Sequence, residues 1–284
     1  MAQFGGRLVV GLIGDPVEHS LSPHMHNAAF EALGIAARYE LWPTAAADLG
    51  ARVESLRRLG TLGANVTVPH KQVAIPLLDV ISDTARRIGA VNTIVPRDGE
   101  LHGDNTDAFG FGRSLAEVLA GRVASRALVV GAGGASRAVL ASLQEAGFGE
   151  IVLVNRTQGK ADTLARSLDG SERTAIQVNP WNALAELAHS VSVLVNATSI
   201  GWHGEDLPFD LEVIAALPDD AVVFDLTYRS TALLRAASKR GLKAVDGLPM
   251  LVYQGARSFE LWTGRTAPVD SMRQAVLAEQ ARRV

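Results

Sequence analysis

Three groups of residues in this chain have the types and spacing to do chemistry. The first is Gly131-Ala132-Gly133-Gly134-Ala135-Ser136, which follows a short apolar run and precedes an Ala/Leu-rich stretch. Glycines in such a place let the backbone turn tightly and approach a pyrophosphate, and the amides at the start of the next helix bind it. The match to G-x-G-x-x-G is partial, because Ser136 stands at the third glycine position. Its weight comes from the strand before, the helix after and a second strand at the right distance. That second strand ends in Asn155-Arg156-Thr157. No carboxylate is there to hold a ribose 2′-hydroxyl, and a guanidinium is there to fork onto a 2′-phosphate, which favours NADP over NAD. The second group is Ser20 and Ser22 in HSLSP, at a helix start where hydroxyls and free amides suit a carboxylate. Helix capping alone accounts for Ser22 but not for Ser20. The third group is Thr67 and Lys71 in GANVTVPHK, together with the polar knot Gly103-Asp104-Asn105-Thr106-Asp107. Only Lys71, Lys160, Lys239 and Lys243 are lysines among 27 basic residues. A lysine inside a motif therefore draws notice, because lysine can give up its proton in a site and arginine effectively cannot.

The elements that must position these groups alternate between strand and helix. Leu8–Ile13 reads as a strand closed by Gly14-Asp15-Pro16. Ser22 reads as an N-cap with Pro23 as first helical residue, and Gly34 as the stop. Ala36–Trp42 is a second strand. The run from Gly63 to Val68 reads as a strand entering a short helix started by Pro69. Ile88-Gly89-Ala90-Val91-Asn92-Thr93 leads into a strand through Ile94 and Val95, then a hairpin at Arg97–Glu100. The polar knot comes immediately before a helix over Ala108–Leu119. Ala127–Val130, a helix to about Ala146 ended by Gly147, and Ile151–Val154 form the glycine-turn unit. Beyond it come strands at Val191–Val195, Ala221–Leu226 and Leu242–Val245. The last stretch holds helices at Thr231–Arg240, Met250–Trp262 and about 270–282. Polar residues gathered at strand ends and helix starts are how α/β domains build clefts.

Composition narrows the class. A chain of 284 residues, 48% hydrophobic and 20% charged, suits two modest domains with a sizeable core. The net charge of −3 argues against nucleic acid as a partner. No apolar run approaches a membrane span and no signal-peptide pattern opens the chain, so the expected setting is cytoplasmic, without a membrane partner. With no cysteine there is neither a disulfide framework nor a thiolate metal site. His19, His24, His26 and His70 invite a metal reading. However, His24 and His26 are two apart on a helix and face differently, and no ligand spacing accompanies them. No metal is expected; these histidines cap, pack or hydrogen-bond.

The motifs GDPVEHSLSPHMHN, GANVTVPHK, IGAVNT, GDNTD, GAGGAS, NRT, NATSIGW and GLPMLVYQGARSFELWTG occur in this order along nearly the whole chain. Together they resemble the shikimate dehydrogenase family. The resemblance implies an α/β protein with an N-terminal substrate domain of mixed sheet and a Rossmann-like NADP-binding domain, the active site lying in the cleft between them. Residues 1–108, completed by 245–284, would bind dehydroshikimate, and 109–244 would bind NADP(H). The implied activity is NADPH-dependent reversible reduction of 3-dehydroshikimate to shikimate, on the route to aromatic amino acids. The partner would be this small molecule, in a monomer or a homodimer. The resemblance assigns the substrate carboxylate to Ser20 and Ser22, and further substrate contacts to Thr67, Asn92, Tyr228 and Gln254. It places the catalytic pair at Lys71 and Asp107. Nucleotide-binding positions fall on Gly131, Ala132, Gly133, Gly134 and Ala135, on Asn155, Arg156, Thr157, Gln158, Gly159 and Lys160, and on Leu226 and Gly247.

For a ketone reduced by hydride these assignments make chemical sense. A protonated Lys71 can stabilise charge on the carbonyl oxygen and deliver a proton, and Asp107 can hold its ammonium. Thr67, Asn92 and Gln254 are neutral hydrogen-bonding groups for a polyhydroxylated ring. Two departures stand out: the loop Tyr228-Arg229-Ser230-Thr231 is shorter than usual in the family, and Trp202 replaces the commoner Met or Leu. Rival readings are an NAD-dependent quinate/shikimate dehydrogenase, a non-catalytic metabolite sensor, and another reductase such as a methylenetetrahydrofolate dehydrogenase. Arg156 and the small Ser22 speak against the first. The Lys71–Asp107 pair and the complete glycine turn speak against the second, and the HSLSP serines against the third.

Overall fold

The structure, a computed structural model, describes residues 8–168, 174–202 and 204–283. It divides into two compact units, Met1–Gly110 with Leu251–Val284, and Phe111–Met250.

The first unit carries β1 (Leu8–Gly14), α1 (Ser22–Ala32), β2 (Ala37–Pro43), α2 (Leu49–Glu54), β3 (Thr61–Val66), β4 (Val80–Ile81), α3 (Asp83–Ile88), β5 (Thr93–Arg97) and β6 (Glu100–Asp104). Its six-stranded sheet has the order β2-β1-β3-β5-β6-β4. β1 runs parallel to β2 and β3, whereas β5 is antiparallel to β3 and β6, so the sheet is mixed. Ile13, Ala64, Val66, Ile94 and Leu101 face a common core with Leu49, Val53 and Leu56. β2 lies at the sheet edge. There the Asn27 side chain, on α1, accepts from the Tyr39 N–H at 2.8 Å and donates to its carbonyl at 3.2 Å.

The second unit carries β7 (Arg126–Val130), α5 (Gly134–Glu145), β8 (Glu150–Val154), α6 (Gln158–Leu168), β9 (Ile176–Asn179), α7 (Leu184–Ala188), β10 (Val193–Asn196), α8 (Leu211–Ala216), β11 (Val222–Asp225), α9 (Ala232–Lys239) and β12 (Lys243–Val245). All its strand pairs are parallel, in the order β12-β11-β10-β7-β8-β9. Such a sheet is covered on both faces, and its strands read as unbroken apolar runs. Ala127 and Val129 of β7 pack with Phe111, Leu140 and Phe224, while Leu128 and Val130 pack on the other face with Leu184, Val213 and Leu233. The strand order reverses between β7 and β10, and ligands in open α/β sheets bind at such a switch point.

Two helices span the divisions, α4 (Asp107–Leu119) and α10 (Leu248–Thr263), and α11 (Val269–Arg283) ends the described chain. Two local expectations are corrected. Ser22 is not the N-cap of α1: the helix begins on it, Leu21 is the cap residue, and no side chain caps there. Ser20 instead accepts from the Ser22 N–H at 3.2 Å. No helix starts at Pro69, whose peptide bond with Val68 is cis. The chain passes through turns there, closed by His70 N–H to the Thr67 carbonyl at 2.8 Å, and coils into a 3₁₀ turn only at Ile75–Leu77.

Candidate active site

In the first unit the turn after β3 delivers Lys71. His70 is buried, and one ring nitrogen lies 2.7 Å from the Thr44 carbonyl, which anchors the turn. The Lys71 carbonyl accepts from Val91 N–H at 2.7 Å, which ties this turn to the segment leading into Asn92. The polar knot after β6 delivers Asp107. Asn105 accepts from the Asp107 N–H at 3.0 Å and donates to the Ala90 carbonyl at 2.9 Å, fixing the first turn of α4. The two turns bring Lys71 Nζ to 2.6 Å from Asp107 Oδ2, with side-chain exposures of 17% and 8%. The other carboxylate oxygen accepts from Asn92 Nδ2 at 2.8 Å. A short, charge-assisted, partly buried pair with a second donor on its carboxylate is a rigid arrangement. It can present an ammonium to a developing oxyanion.

The remaining polar groups of this unit converge on Asn92. Gln254, on α10, approaches Asn92 Nδ2 with its Oε1 at 3.3 Å and donates to the Leu251 carbonyl at 2.8 Å. Ser22 is buried, and the Tyr39 hydroxyl hydrogen-bonds it and donates to Asn65 Oδ1 at 2.9 Å. Burial pushes the Tyr39 phenol above its ordinary range, so it stays neutral. Asn65 Nδ2 donates to the Asn92 carbonyl at 3.0 Å. The two anticipated ends of a substrate site, serines and acid–base pair, are thus joined by buried side chains. Thr67 sits half-buried on the same turn as Lys71, its methyl against Gly14. His26 is fully buried and stacks on Tyr39 with centroids 4.5 Å apart, and burial lowers its pKa to about 3. Among the described residues no group of three His, Asp or Glu side chains could hold a metal ion.

In the second unit the glycine turn closes the end of β7. Gly131 has φ +109°, and a Cβ there would meet Thr198 at 2.9 Å and the Ala197 carbonyl carbon at 3.0 Å, at the exit of β10. Only glycine fits at this switch-point position. A Cβ on Gly133 or Gly134 would meet nothing within 4 Å, so open space lies against the start of α5. Ser136, at the third glycine position, is buried and its hydroxyl accepts from Gly133 N–H at 3.1 Å. Asn155 accepts from Ala132 N–H at 3.2 Å and donates to the Thr157 carbonyl at 2.9 Å. It braces the turn with its oxygen and one N–H. Arg156, Thr157, Gln158, Gly159 and Lys160 are exposed beside it, and Arg156 pairs with no carboxylate among the described residues. At Gly247 a Cβ would lie 2.1 Å from the Leu226 carbonyl oxygen, so the end of β11 and the start of α10 approach as backbone on backbone.

The family models that match are the shikimate dehydrogenase substrate binding domain over residues 12–94, shikimate / quinate 5-dehydrogenase over 114–201, and the shikimate 5'-dehydrogenase C-terminal domain over 247–277. The shikimate dehydrogenase (NADP(+)) of Synechocystis sp. is 43% identical over 279 residues, 96% of each chain. The chain belongs to the shikimate dehydrogenase family. Among solved structures of that family, the Thermus thermophilus enzyme in complex with NADP(H) and shikimate superposes with a TM-score of 0.85. It is 40% identical and covers 95% of this chain and 99% of its own. A quinate dehydrogenase from Corynebacterium glutamicum in complex with NAD gives a TM-score of 0.89 at 32% identity, covering 96% and 99%.

Of the anticipated residues, the first unit gathers Ser20, Ser22, Thr67, Lys71, Asn92, Asp107 and Gln254; Tyr228 belongs to the second unit. The two departures from the family pattern touch each other. Trp202 packs edge-on against Tyr228 at 4.8 Å, and the Arg229 guanidinium lies 5.4 Å over the Trp202 ring. The sequence reading passed over Asp225. It is fully buried and accepts from Asn196 Nδ2 at 3.1 Å, Thr227 N–H at 3.1 Å and the Thr231 hydroxyl at 2.7 Å. It binds the ends of β10 and β11 to the start of α9, and desolvation raises its pKa. An acidic residue directly after the apolar run Ala221–Phe224 was the available signal. Asn65, inside the otherwise apolar β3, was a similar one.

Proposed function

We propose that this chain is an NADP-dependent oxidoreductase that interconverts 3-dehydroshikimate and shikimate, with Lys71 and Asp107 as its acid–base pair. The observation that carries the reading is the 2.6 Å Lys71–Asp107 contact, held by Asn92 in a family member whose other unit has a doubly wound sheet and a glycine turn. The space against Gly133 and Gly134 and the amides at the start of α5 suit a pyrophosphate, and exposed Arg156 suits a 2′-phosphate. NADPH, when bound, supplies the hydride. Lys71 stabilises the charge that develops on the substrate oxygen and gives it a proton; Asp107 holds the ammonium in place. Ser20 and Ser22 take the substrate carboxylate, while Thr67, Asn92, Gln254 and Tyr228 orient the ring hydroxyls. Residues 1–108 with 245–284 act as the substrate domain and 109–244 as the nucleotide domain, in a cytoplasmic setting. Among the described residues no helix is long and apolar enough to cross a membrane.

The test follows nicotinamide absorbance with NADPH or NADH against 3-dehydroshikimate, and with NADP⁺ against shikimate or quinate. The reading requires NADPH to be preferred over NADH with 3-dehydroshikimate, and shikimate over quinate with NADP⁺. Equal use of NADH would remove the role given to Arg156, and a preference for quinate would reassign the substrate.

A further inference from the structure

The hydroxyls behind Asn92 form a closed ring of buried contacts. Asn92 Nδ2 is a donor only, and it reaches Thr106 Oγ1 at 2.9 Å as well as Asp107 Oδ1 at 2.8 Å. Asn92 Oδ1 accepts from Thr106 N–H at 2.8 Å and from the Thr93 hydroxyl at 2.9 Å. The Thr106 hydroxyl also lies 3.0 Å from Ser258 Oγ and 3.2 Å from Asn92 Oδ1. Ser258 Oγ is 2.8 Å from Thr93 Oγ1 and 3.1 Å from the Gln254 carbonyl, which accepts from it. Contacts run from Asn92 nitrogen through Thr106, Ser258 and Thr93 back to Asn92 oxygen. The amide itself has one orientation, because a flip would set its oxygen against the Asp107 carboxylate and its nitrogen against the Thr106 N–H. All four residues are buried, Thr93 and Ser258 completely. Hydrogen bonds in such a dry chain strengthen one another.

We infer that Ser258 is a positioning residue for the reaction: by closing this ring it fixes the Asn92 amide so that its nitrogen stays on Asp107 and keeps the Lys71–Asp107 pair aligned. Ser258 stands one helical turn after Gln254 on α10, and Asn65 Nδ2 donates to it at 3.1 Å, so it also links the Tyr39–Ser22 side of the site to the pair. This inference rests on the roles given above to Lys71 and Asp107.

Ser258→Ala opens the ring without touching substrate. Loss of one neutral hydrogen bond corresponds to about 3- to 10-fold in kcat/KM for shikimate. The Kd for NADP⁺, whose site is on the other unit, should not change. Thr106→Val should give a similar loss and Thr106→Ser should restore activity. The double variant Ser258→Ala/Thr106→Val should lose less than about twofold beyond either single, because an open ring cannot be opened again. A purely structural serine would lower Tm but leave these kinetic effects absent or additive. Ser258→Cys, a weak donor of similar volume, should reproduce the loss and serves if the alanine variant fails to fold. Wild-type kcat/KM in the Ala or Cys variant, full additivity, or an equal loss of NADP⁺ affinity would overturn the inference. Lys71→Ala is measured alongside. If it is nearly inactive while Ser258→Ala and Ser258→Cys are normal, only the inference falls; if Lys71→Ala is itself normal, the site reading falls and takes the inference with it.

Discussion

Replacing Lys71 by Met removes the ammonium while keeping most of the side-chain length. Two magnitudes follow, and they differ enough to be separated. On stability, Asp107 loses its 2.6 Å partner but keeps Asn92 at 2.8 Å on the other oxygen, so the carboxylate is not orphaned. The cost is that of one charged group short of a donor, about 1–3 kcal/mol. In a unit of this size that is a fall of about 2–10 °C in Tm. On rate, removing a positioned acid–base group costs about 10²–10⁴-fold in kcat, or about 3–5 kcal/mol on the barrier. Thermal unfolding by circular dichroism reads the first, and NADP⁺ reduction at saturating shikimate reads the second. Lys71→Arg restores charge but should recover little rate, because guanidinium is a poor proton donor of a different shape. Asp107→Asn should harm both binding and rate, and combining it with Lys71→Met should be non-additive. A Lys71→Met enzyme with near-normal kcat at saturating substrate would refute the reasoning. Some other donor would then have to stabilise the oxygen, and the neutral amides and hydroxyls around Asn92 carry no charge with which to do it.

Arg156 is exposed and unpaired among the described residues, so Arg156→Ala should leave Tm unchanged. It should weaken NADPH by about 10- to 150-fold with little change in NADH use, as read from the two KM values. Ser22→Ala should raise KM for shikimate more than it lowers kcat, because its contact is equal in ground and transition states. If the variant still discriminates against an analogue without the carboxylate as strongly as wild type, Ser22 serves only to hold Tyr39. His26 is held neutral by burial, with its pKa lowered from 6.5 to about 3. The unfolded chain therefore binds a proton more readily than the folded one, and wild type loses stability as pH falls from about 6.5 towards 3. His26→Phe keeps the stack on Tyr39 without titrating. Its Tm should rise relative to wild type between pH 7 and pH 4, and parallel profiles would contradict the assignment.

The parts legible in the sequence are those set by local rules. β7, α5 and β8 announce themselves because Gly131–Ser136 separates an apolar run from a helical one, and the observed ends differ from those read by a residue or two. The lysine turn and the polar knot stood out as candidates because polar residues there follow the ends of buried strands. What escaped depends on partners distant in sequence. Ser22 looked like a cap, yet Ser20 takes its amide and its hydroxyl meets Tyr39. The brace that Asn155 gives the glycine turn, accepting from Ala132 N–H 23 residues away, has no local signal either. α2, α3 and β4 are too short to show a period, and β4 is fixed only by pairing with β6. Ser258 is 165 residues from Thr93, and nothing in its neighbourhood along the chain hints at that ring.

The amide of Asn27 seated on Tyr39 bears on how this protein behaves when crowded with copies of itself. β2 pairs with β1 on one side only, so Ala37, Tyr39, Leu41 and Pro43 turn their backbone groups outward. An incoming strand would need those groups. The Ala37 N–H is already spent on the Ile35 carbonyl at 2.8 Å, and Asn27 takes both groups of Tyr39. Pro43 has no N–H to give. Among the described residues Leu41 alone keeps both a donor and an acceptor for a newcomer, and one residue is too little to nucleate a ladder. A margin that could template sheet-to-sheet polymerisation is thereby closed by one asparagine and one proline.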